Sequence, residues 1–297
     1  QARLLMMQTA EVCSAGRIDR KLCGVYVGCM WSDNHQILGL LGRREGNRTT
    51  GSSLWGVSGR LSYTFGLQGL CVGIDTACSS SLVGTHFAMA SLGSGACTSS
   101  IACGTNLMLY AGSTFSCCAL QALSWTGRCR TLDASADGYG RGEGVTILAL
   151  GWIKRTQQSS ARRYDRSAVP GTDKESIHHR HPPVLVSSAV NQDGRSSGLT
   201  APNGPQQAVL LRAALKNSGL GPGDVCHVAL HGTGTPLGDP IEVGAATQAY
   251  RKSIQTRDRP QHTGYISVKS SYGHTEGAAG LTGLLMTAMA LHHRAWP

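Results

Sequence analysis

Short apolar runs alternate along the chain with segments in which apolar residues recur every three or four positions. The short runs, which are partly β-branched, predict strands, and the periodic segments predict helices. Strands that alternate with helices are typical of an α/β fold, in which helices pack on the faces of a sheet. Strands are predicted at 24–28, 70–74, 101–103, 145–150, 184–190, 225–230 and 265–268.

The turn at 75–81, with the sequence DTACSSS, joins a predicted strand to a predicted helix. The apolar run 70–74 precedes it, and Leu82 and Phe87 begin a helical pattern after it. Cys78 is therefore predicted at the amino end of a helix, where free N–H groups and the helix dipole favour an anion. A single cysteine is usually a small buried hydrophobic residue. In this setting we expect the pKa of the thiol to fall, which makes Cys78 a candidate nucleophile.

Two histidines occupy the same kind of position as Cys78. His231 directly follows one predicted strand, and Lys269 ends the strand predicted at 265–268. His274 lies in the segment 270–276, which is predicted to be a loop. Ligands of open α/β sheets bind beyond the carboxyl ends of strands, so these side chains are expected to converge. The helix after the loop is predicted to place on one face Leu281, Leu284, Leu285, Ala288 and Met289.

Three segments are similar, in chain order, to the active-site signatures of β-ketoacyl synthases. They are DTACSSS at 75–81, HGTGTPLGDPIE at 231–242 and SVKSSYGHTEGAAG at 267–280. The segments at 132–144 and 187–207 resemble the same family. The Pro-Leu-Gly-Asp-Pro and Ala-Pro-Asn-Gly-Pro sequences within these segments resemble the ketosynthase domains of modular type I polyketide synthases more than fatty-acid enzymes.

This resemblance implies a decarboxylative Claisen condensation. Cys78 would take the growing acyl chain from a carrier thioester, and its N–H would help to stabilise the oxyanion. His231 and His274 would donate hydrogen bonds to the enolate formed when a malonyl-type extender loses carbon dioxide. Lys269 would support His274 and the local electrostatics.

The resemblance also implies partners and a cellular setting. Thr233 and Thr235 match positions that contact the pantetheine arm, although turn stabilisation is an alternative role for both. No metal or cofactor is expected in the chain itself, because the substrates arrive on the phosphopantetheine of an acyl carrier protein. Further expectations are neighbouring domains such as an acyltransferase, a homodimer and a cytoplasmic, intracellular location.

The fold implied by the resemblance is thiolase-like, with αβαβα layers built from two similar halves around two mixed sheets. Residues 1–156 are expected to form an amino-terminal half with the cysteine, and 183–297 a carboxy-terminal half with both histidines. Residues 157–182 are polar and longer than the equivalent connection in relatives, which indicates an exposed loop insertion. The resemblance also predicts that the fold is incomplete at both termini, with one oxyanion donor beyond Pro297.

Composition changes this picture little. The chain has 297 residues, 11 cysteines and a formal net charge of +10. The basic residues are dispersed and no nucleic-acid recognition module is present. The resemblance implies an acidic carrier domain as the partner that a positive surface would steer, and surface solvation together with the basic insertion is an equally good explanation of part of the charge. No apolar run approaches the roughly 18 residues of a membrane span. The cysteine spacings match no disulfide scaffold, and reduced thiols are expected.

Two further motifs are similar to binding sites but lack the surrounding pattern that such sites need. The cluster His178-His179-Arg180-His181 lies in the predicted insertion without cysteines or carboxylates in a fixed pattern, which disfavours a metal site. The glycine-rich stretch 138–144 precedes a predicted strand, whereas a dinucleotide loop links a strand to a helix.

Two alternative functions remain open at this point. One is a ketosynthase-like protein without catalysis, acting as a scaffold or a chain-length partner in a dimer. The presence of Cys78, His231, His274 and Lys269 argues against it, because such homologues usually lack the cysteine or the second histidine. The other alternative is a cysteine hydrolase, since a cysteine and a histidine also suit proteases.

Overall fold

The computed structural model describes most of the chain, in six ranges. The predicted insertion at 157–182, with its histidine cluster, lies outside them. No helix of the described residues is long and apolar enough to cross a membrane. The described residues are 1–15, 18–42, 50–51, 53–152, 183–250 and 263–295.

A four-stranded mixed sheet organises the first half of the described chain. Its strands are β1 (Cys23–Cys29), β2 (Cys71–Ile74), β3 (Ser99–Asn106) and β4 (Gly144–Gly151). The strand order is β2-β1-β3-β4. β1 runs parallel to β2 and β3, and β4 runs antiparallel to β3. The three parallel strands end at the same edge of the sheet, and β2 there leads into the turn that carries Cys78.

The second half contributes a smaller sheet. β5 (His227–Ala229) pairs in parallel with β6 (Gly264–Ile266). Within the ranges that the structure describes, this sheet has two strands, whereas the resemblance predicts a second mixed sheet.

Helices cover both faces of the first sheet and connect its strands to the second half. Short 3₁₀ turns occur at Arg20–Leu22, Pro222–Asp224 and Glu276–Ala278. The α-helices are α1 (Ala2–Ser14), α2 (Asp33–Leu40), α3 (Leu54–Phe65), α4 (Ser80–Gly93), α5 (Ala111–Ala119), α6 (Gly204–Ser218), α7 (Gly238–Tyr250), α8 (Lys269–Tyr272) and α9 (Ala279–His293).

The central strand β1 is buried on both faces, and its side chains alternate between two cores. Val25 and Val27 belong to a cluster with Leu5 of α1 and Leu61 of α3. Tyr26 points the other way and packs in a cluster with Ala88 of α4. A strand buried on both sides reads as a continuous apolar run, which is why this part of the sheet is predictable from the sequence.

Close backbone contact fixes the start of α4 against β1. A Cβ atom on Gly28 would lie 2.4 Å from the backbone nitrogen of Ser81 and 2.6 Å from the carbonyl carbon of Ser80. Only glycine permits this approach. It sets the position of the helix that begins two residues after Cys78.

Two predicted elements are wrong. Residues 184–190 form no strand in the described structure, because no neighbouring strand pairs with them. The segment 270–276 is not a plain loop, since α8 covers Lys269–Tyr272 and a 3₁₀ turn begins at Glu276. Short turns of helix lack the length at which apolar periodicity becomes visible. The predicted α9 is present, but Leu281 is fully buried whereas Met289 on the same predicted face is 53% exposed.

Candidate active site

Cys78 lies on a sharp turn between β2 and α4. The residue before it, Ala77, has a left-handed backbone with φ of 55°. Such a conformation costs about 1 kcal/mol or more for a residue with a Cβ, and local hydrogen bonds hold it. The Asp75 carboxylate accepts from the Ala77 N–H over 3.0 Å, and the Ser80 hydroxyl donates to the Ala77 carbonyl over 2.6 Å. The same hydroxyl accepts from the N–H of Thr76 over 2.9 Å.

The backbone N–H of Cys78 is available to a ligand. The N–H groups of Thr76, Ala77, Ser79 and Ser80 all find acceptors within the turn. Among the described residues no other residue accepts from the Cys78 N–H, which interacts with the thiol of its own residue and lowers the pKa of that thiol. A free N–H next to a nucleophile is the geometry of an oxyanion donor.

The Cys78 thiol, His231 and His274 converge. The Cys78 Sγ and one ring nitrogen of each histidine lie within 4.8 Å of one another. The two imidazole centroids are 5.1 Å apart, with an angle of 89° between the ring planes. His274 is 1% exposed, whereas His231 is exposed. This convergence agrees with the positions of the three residues at the ends of three predicted strands.

Carboxylates of α7 hold the loop that follows His231. Glu242 accepts hydrogen bonds from the N–H groups of His231 and Gly232, the latter over 2.9 Å. Asp239 accepts from the N–H of Gly234 over 3.1 Å and from the N–H of Leu132 over 2.9 Å. Neither carboxylate is among the residues predicted for the site, although both lie in the HGTGTPLGDPIE segment. Acidic residues near the start of a helix that follows a glycine-rich loop are the signal that could have identified them.

The first half of the chain holds the backbone of His274. Its N–H donates to the Gly140 carbonyl over 2.7 Å, and its carbonyl accepts from the Gly142 N–H over 2.8 Å. The Tyr139 ring packs edge-on against the imidazole at a centroid distance of 4.9 Å. These contacts place a histidine of one half directly on a segment of the other half.

Hydrogen bonding sets the tautomer of His274. The Glu276 N–H donates to Nδ1 over 3.3 Å. A ring nitrogen that accepts a hydrogen bond carries no proton, so the proton of the neutral ring lies on Nε2. Nε2 is buried and has no hydrogen-bond partner in the described part of the chain. This N–H is therefore a donor for an acceptor that enters the site.

The same tautomer disfavours a metal at the Cys78, His231 and His274 cluster. A histidine that binds a metal usually donates its other ring N–H to a carboxylate or carbonyl. Nδ1 of His274 instead faces an N–H donor. The donor set suits a developing oxyanion better than a cation.

Lys269 is 5% exposed at the start of α8. Burial lowers the pKa of its ammonium group, and the Glu242 carboxylate opposes this shift. Lys269 in turn lowers the pKa values of His231, His274 and Cys78. It is thus the cation that the three reactive groups share.

Both histidines favour the neutral form. Burial, with smaller contributions from His231, Lys269 and Arg141, lowers the pKa of His274 to about 2. Desolvation by the surrounding protein lowers the pKa of His231 as well, and the Lys269 charge adds a smaller effect in the same direction. Because His231 is exposed, solvent moderates this shift. Neutral imidazoles can each donate one N–H near pH 7.

The expected fall in the pKa of the Cys78 thiol is wrong. Burial raises this pKa, and the Glu276 carboxylate raises it further. Lys269 works in the opposite direction. The position at a helix start predicts a stabilised thiolate, but the sequence alone does not show how deeply the surrounding protein buries the thiol.

Thr233 and Thr235 lie in the loop between His231 and α7. The Thr235 hydroxyl accepts from the Gly238 N–H over 3.1 Å and so stabilises the start of α7. Thr233 is 8% exposed. The turn-stabilising alternative therefore holds for Thr235, and the pantetheine contacts of both residues stay predictions.

Two family models match the chain. The N-terminal domain of beta-ketoacyl synthase matches residues 1–154, and its C-terminal domain matches residues 183–297. The chain belongs to the β-ketoacyl synthase family. Together the two matches cover both the Cys78 turn and the two histidine loops of this β-ketoacyl synthase.

Similar curated proteins are large polyketide synthases. The chain is 39% identical to the erythronolide synthase EryA2 of Saccharopolyspora erythraea, covering 100% of this chain and 8% of that protein. It is 40% identical to the spectinabilin polyketide synthase system protein NorA of Streptomyces orinoci, covering 100% of this chain and 15% of that protein. These relatives confirm the predicted resemblance to polyketide-synthase ketosynthases.

Solved ketosynthase structures share the fold of this β-ketoacyl synthase. The oxazolomycin ketosynthase domain OzmH KS7 of Streptomyces albus JA3453 superposes with a TM-score of 0.80 at 29% identity, over 98% of this chain and 47% of that chain. The module 6 ketosynthase of the bacillaene synthase of Bacillus subtilis 168 gives 0.80 at 31% identity, over 99% and 48%. The thiolase-like fold class is confirmed, and the chain spans about half the length of these structures.

Proposed function

We propose that this β-ketoacyl synthase catalyses the decarboxylative condensation of an acyl thioester with a malonyl-type extender in polyketide synthesis. The observation that carries the proposal is the approach of the Cys78 Sγ and the two imidazoles to within 4.8 Å. The unpaired Nε2–H of buried His274 supports a donor role toward a forming negative charge.

The first step is transfer of the acyl chain to Cys78. The thiolate attacks the carrier thioester, a new bond forms between Sγ and the acyl carbon, and the bond to the carrier sulfur breaks. The proton of the Cys78 thiol ends on the carrier thiol. The free Cys78 N–H supports stabilisation of the tetrahedral oxyanion. Since burial raises the pKa of the resting thiol, we assign the compensating attraction to Lys269 and to the start of α4.

The second step is decarboxylation of the extender. The bond between its α-carbon and its carboxylate breaks, and the electron pair moves onto the thioester oxygen as carbon dioxide leaves. His231 and His274 donate their N–H groups to that oxygen. Because the lowered pKa values favour neutral rings, each imidazole offers one N–H to that oxygen near pH 7.

The third step joins the two fragments. The extender carbanion attacks the carbonyl carbon of acyl-Cys78, and the intermediate collapses with Cys78 thiolate as the leaving group. The β-ketoacyl product stays on the carrier. No redox reagent is consumed in any of the three steps.

The proposal includes partners and organisation. The substrates are carried on the phosphopantetheine of an acyl carrier protein, with Thr233 and Thr235 contacting the arm, and neighbouring domains such as an acyltransferase and a homodimer complete the assembly. The chain divides into halves at 1–156 and 183–297, as the family-model boundaries support. A catalytic thiol needs a reducing compartment, which supports a cytoplasmic location.

The test separates loading from decarboxylation. The full-length protein is incubated with an acyl thioester, and peptide mass spectrometry maps the adduct, which we expect on Cys78. Release of carbon dioxide from a malonyl-type thioester is then measured. An adduct on another cysteine, with Cys78 unmodified, would contradict the proposal. Release of free acid without an extender would favour a hydrolase, and absence of both reactions would favour the non-catalytic alternative.

A further inference from the structure

A buried ion pair joins the two halves next to His274. Arg141 Nε donates to Glu276 Oε1 over 2.7 Å, and Nη2 donates to Oε2 over 2.8 Å. The two side chains are 4% and 0% exposed. The remaining nitrogen, Nη1, donates to the hydroxyls of Thr114 over 2.6 Å and Ser113 over 3.2 Å, both on α5. The guanidinium is thus held from two sides and presents a rigid fork to the carboxylate.

Glu276 is held in a conformation that it would not adopt unaided. Its φ is 44°, in the left-handed region that a residue with a Cβ rarely enters. The carboxylate pairs with Arg141, and this ion pair fixes the side chain that extends from the strained backbone. Strain of this kind persists only where surrounding contacts hold it.

The same residue carries the N–H that determines the His274 tautomer. Its backbone N–H reaches Nδ1 over 3.3 Å while its carboxylate is held by Arg141. The backbone of His274 is meanwhile fixed on either side of Arg141, at Gly140 and Gly142. The ring and the N–H that orients it are therefore positioned by the same short segment of the other half.

We propose that the Arg141–Glu276 ion pair is a positioning device that holds the Glu276 N–H against Nδ1 of His274 and so keeps the proton on Nε2, facing the substrate. The inference rests on the proposed donor role of His274. Neither Arg141 nor Glu276 touches the reacting atoms. With the clamp removed, the Glu276 backbone relaxes, Nδ1 loses its donor, and the ring populates the tautomer that presents a lone pair to the enolate.

The decisive variant removes both charges together. Removing one partner of a buried pair leaves an unpaired charge and endangers folding, whereas replacing both by apolar residues is usually tolerated. We therefore compare Arg141→Met/Glu276→Met with Glu276→Gln, which keeps an oxygen that accepts from Arg141. Arg128→Met is the matched control, because Arg128 is exposed in the same segment of the chain.

Four quantities are measured for each full-length protein: the thermal midpoint, acyl loading on Cys78, the kcat for carbon dioxide release and its KM. For the double variant we expect kcat for carbon dioxide release to fall by about 10² while loading and KM stay within about threefold, since an oriented donor of this kind contributes about 10²–10³. Glu276→Gln should lose less than the double variant but fall short of the parent, because its oxygen accepts only one of the two Arg141 hydrogen bonds and the buried Arg141 charge stays unpaired. Arg128→Met should match the parent.

Several outcomes would overturn the inference. A double variant that folds and releases carbon dioxide at the parental rate shows that the clamp does not position His274. Equal losses of loading and decarboxylation indicate a general structural role. If the double variant does not fold, Arg141→Lys decides, because it keeps the charge without the fork and must slow carbon dioxide release while loading is retained. A parent that releases no carbon dioxide removes the proposed function itself, and the inference falls with it.

Discussion

The two histidines of the site occupy similar positions in the sequence, yet the protein holds them in different ways. His231 is exposed, and a carboxylate of its own half, Glu242, holds its backbone N–H. His274 is 1% exposed, and its backbone bonds to Gly140 and Gly142 of the other half. One histidine is thus positioned locally and the other by the packing of the two halves. Substitutions at the site should separate these two modes of support.

Cys78→Ala should have the largest effect. Without the acyl acceptor we expect condensation to fall by about 10⁴ or more, as loss of a nucleophile does. Decarboxylation of the extender should persist, because neither histidine has been changed. Product formation and carbon dioxide release are measured in parallel by mass spectrometry and with a labelled carboxyl group. Loss of both reactions together would indicate that the thiol also supports the histidines.

His274→Ala and His231→Ala sharpen the comparison directly. Each should lower carbon dioxide release by about 10²–10³, because each removes one donor to the enolate oxygen. Only His274→Ala should also lower the thermal midpoint, since it empties a buried position against Tyr139. Acyl loading on Cys78 serves as the control in both variants. Equal loss of stability in the two variants would contradict the difference in packing between buried His274 and exposed His231.

Glu242→Ala tests the local support of His231. The substitution leaves the N–H groups of His231 and Gly232 without their acceptor, which costs about 1–3 kcal/mol where such groups are shielded from water. We expect a loss of about tenfold in carbon dioxide release from displacement of the His231 loop. Glu242→Gln keeps an acceptor oxygen and should lose less. If Glu242→Ala also changed the amount by which His274→Ala lowers the thermal midpoint, the contacts that hold the two histidines would be linked.

Acid should destabilise the folded protein through His274. Burial lowers the folded pKa of His274 to about 2, whereas the unfolded value is near 6.5. Below pH 6.5 the unfolded chain binds a proton that the folded ring refuses, so stability falls by up to about 1.4 kcal/mol per pH unit. Above pH 6.5 the ring is neutral in both states and has no such effect. Urea midpoints of the parent and of His274→Gln, compared between pH 7 and pH 5, measure the difference; parallel slopes would contradict it.

The predictable parts of the molecule are those that a single segment specifies. β1 is buried along its whole length, so its apolar run identifies it as a strand without knowledge of its neighbours. The Cys78 turn is likewise local, because the end of β2 and the start of α4 flank it within a few residues. The α/β alternation and the strand-end positions of the candidate residues follow from such patterns, whereas the thiolase-like fold is implied by the family resemblance.

The remaining parts depend on contacts between distant residues. Nothing in the neighbourhood of Arg141 or Glu276 indicates that they pair across 135 positions of sequence. The pKa of Cys78 depends on how far the second half encloses the turn, which reverses the direction predicted from the helix start. Residues 184–190 have the composition of a strand, but a strand also needs a partner, and composition does not provide one.

One contact beneath the site has a consequence for recombination between related synthases. The Ser81 hydroxyl, three residues after Cys78, accepts from the N–H of Leu281 over 3.1 Å and so caps the first turn of α9 from the opposite half. A chimera with its crossover between 152 and 183 would take Ser81 and Leu281 from different parents. The side chain at position 81 from one parent must then accept the hydrogen bond from the N–H at the start of α9 from the other parent. Exchange of whole chains keeps the cap intact, and exchange at the midpoint puts it at risk even where every catalytic residue is retained.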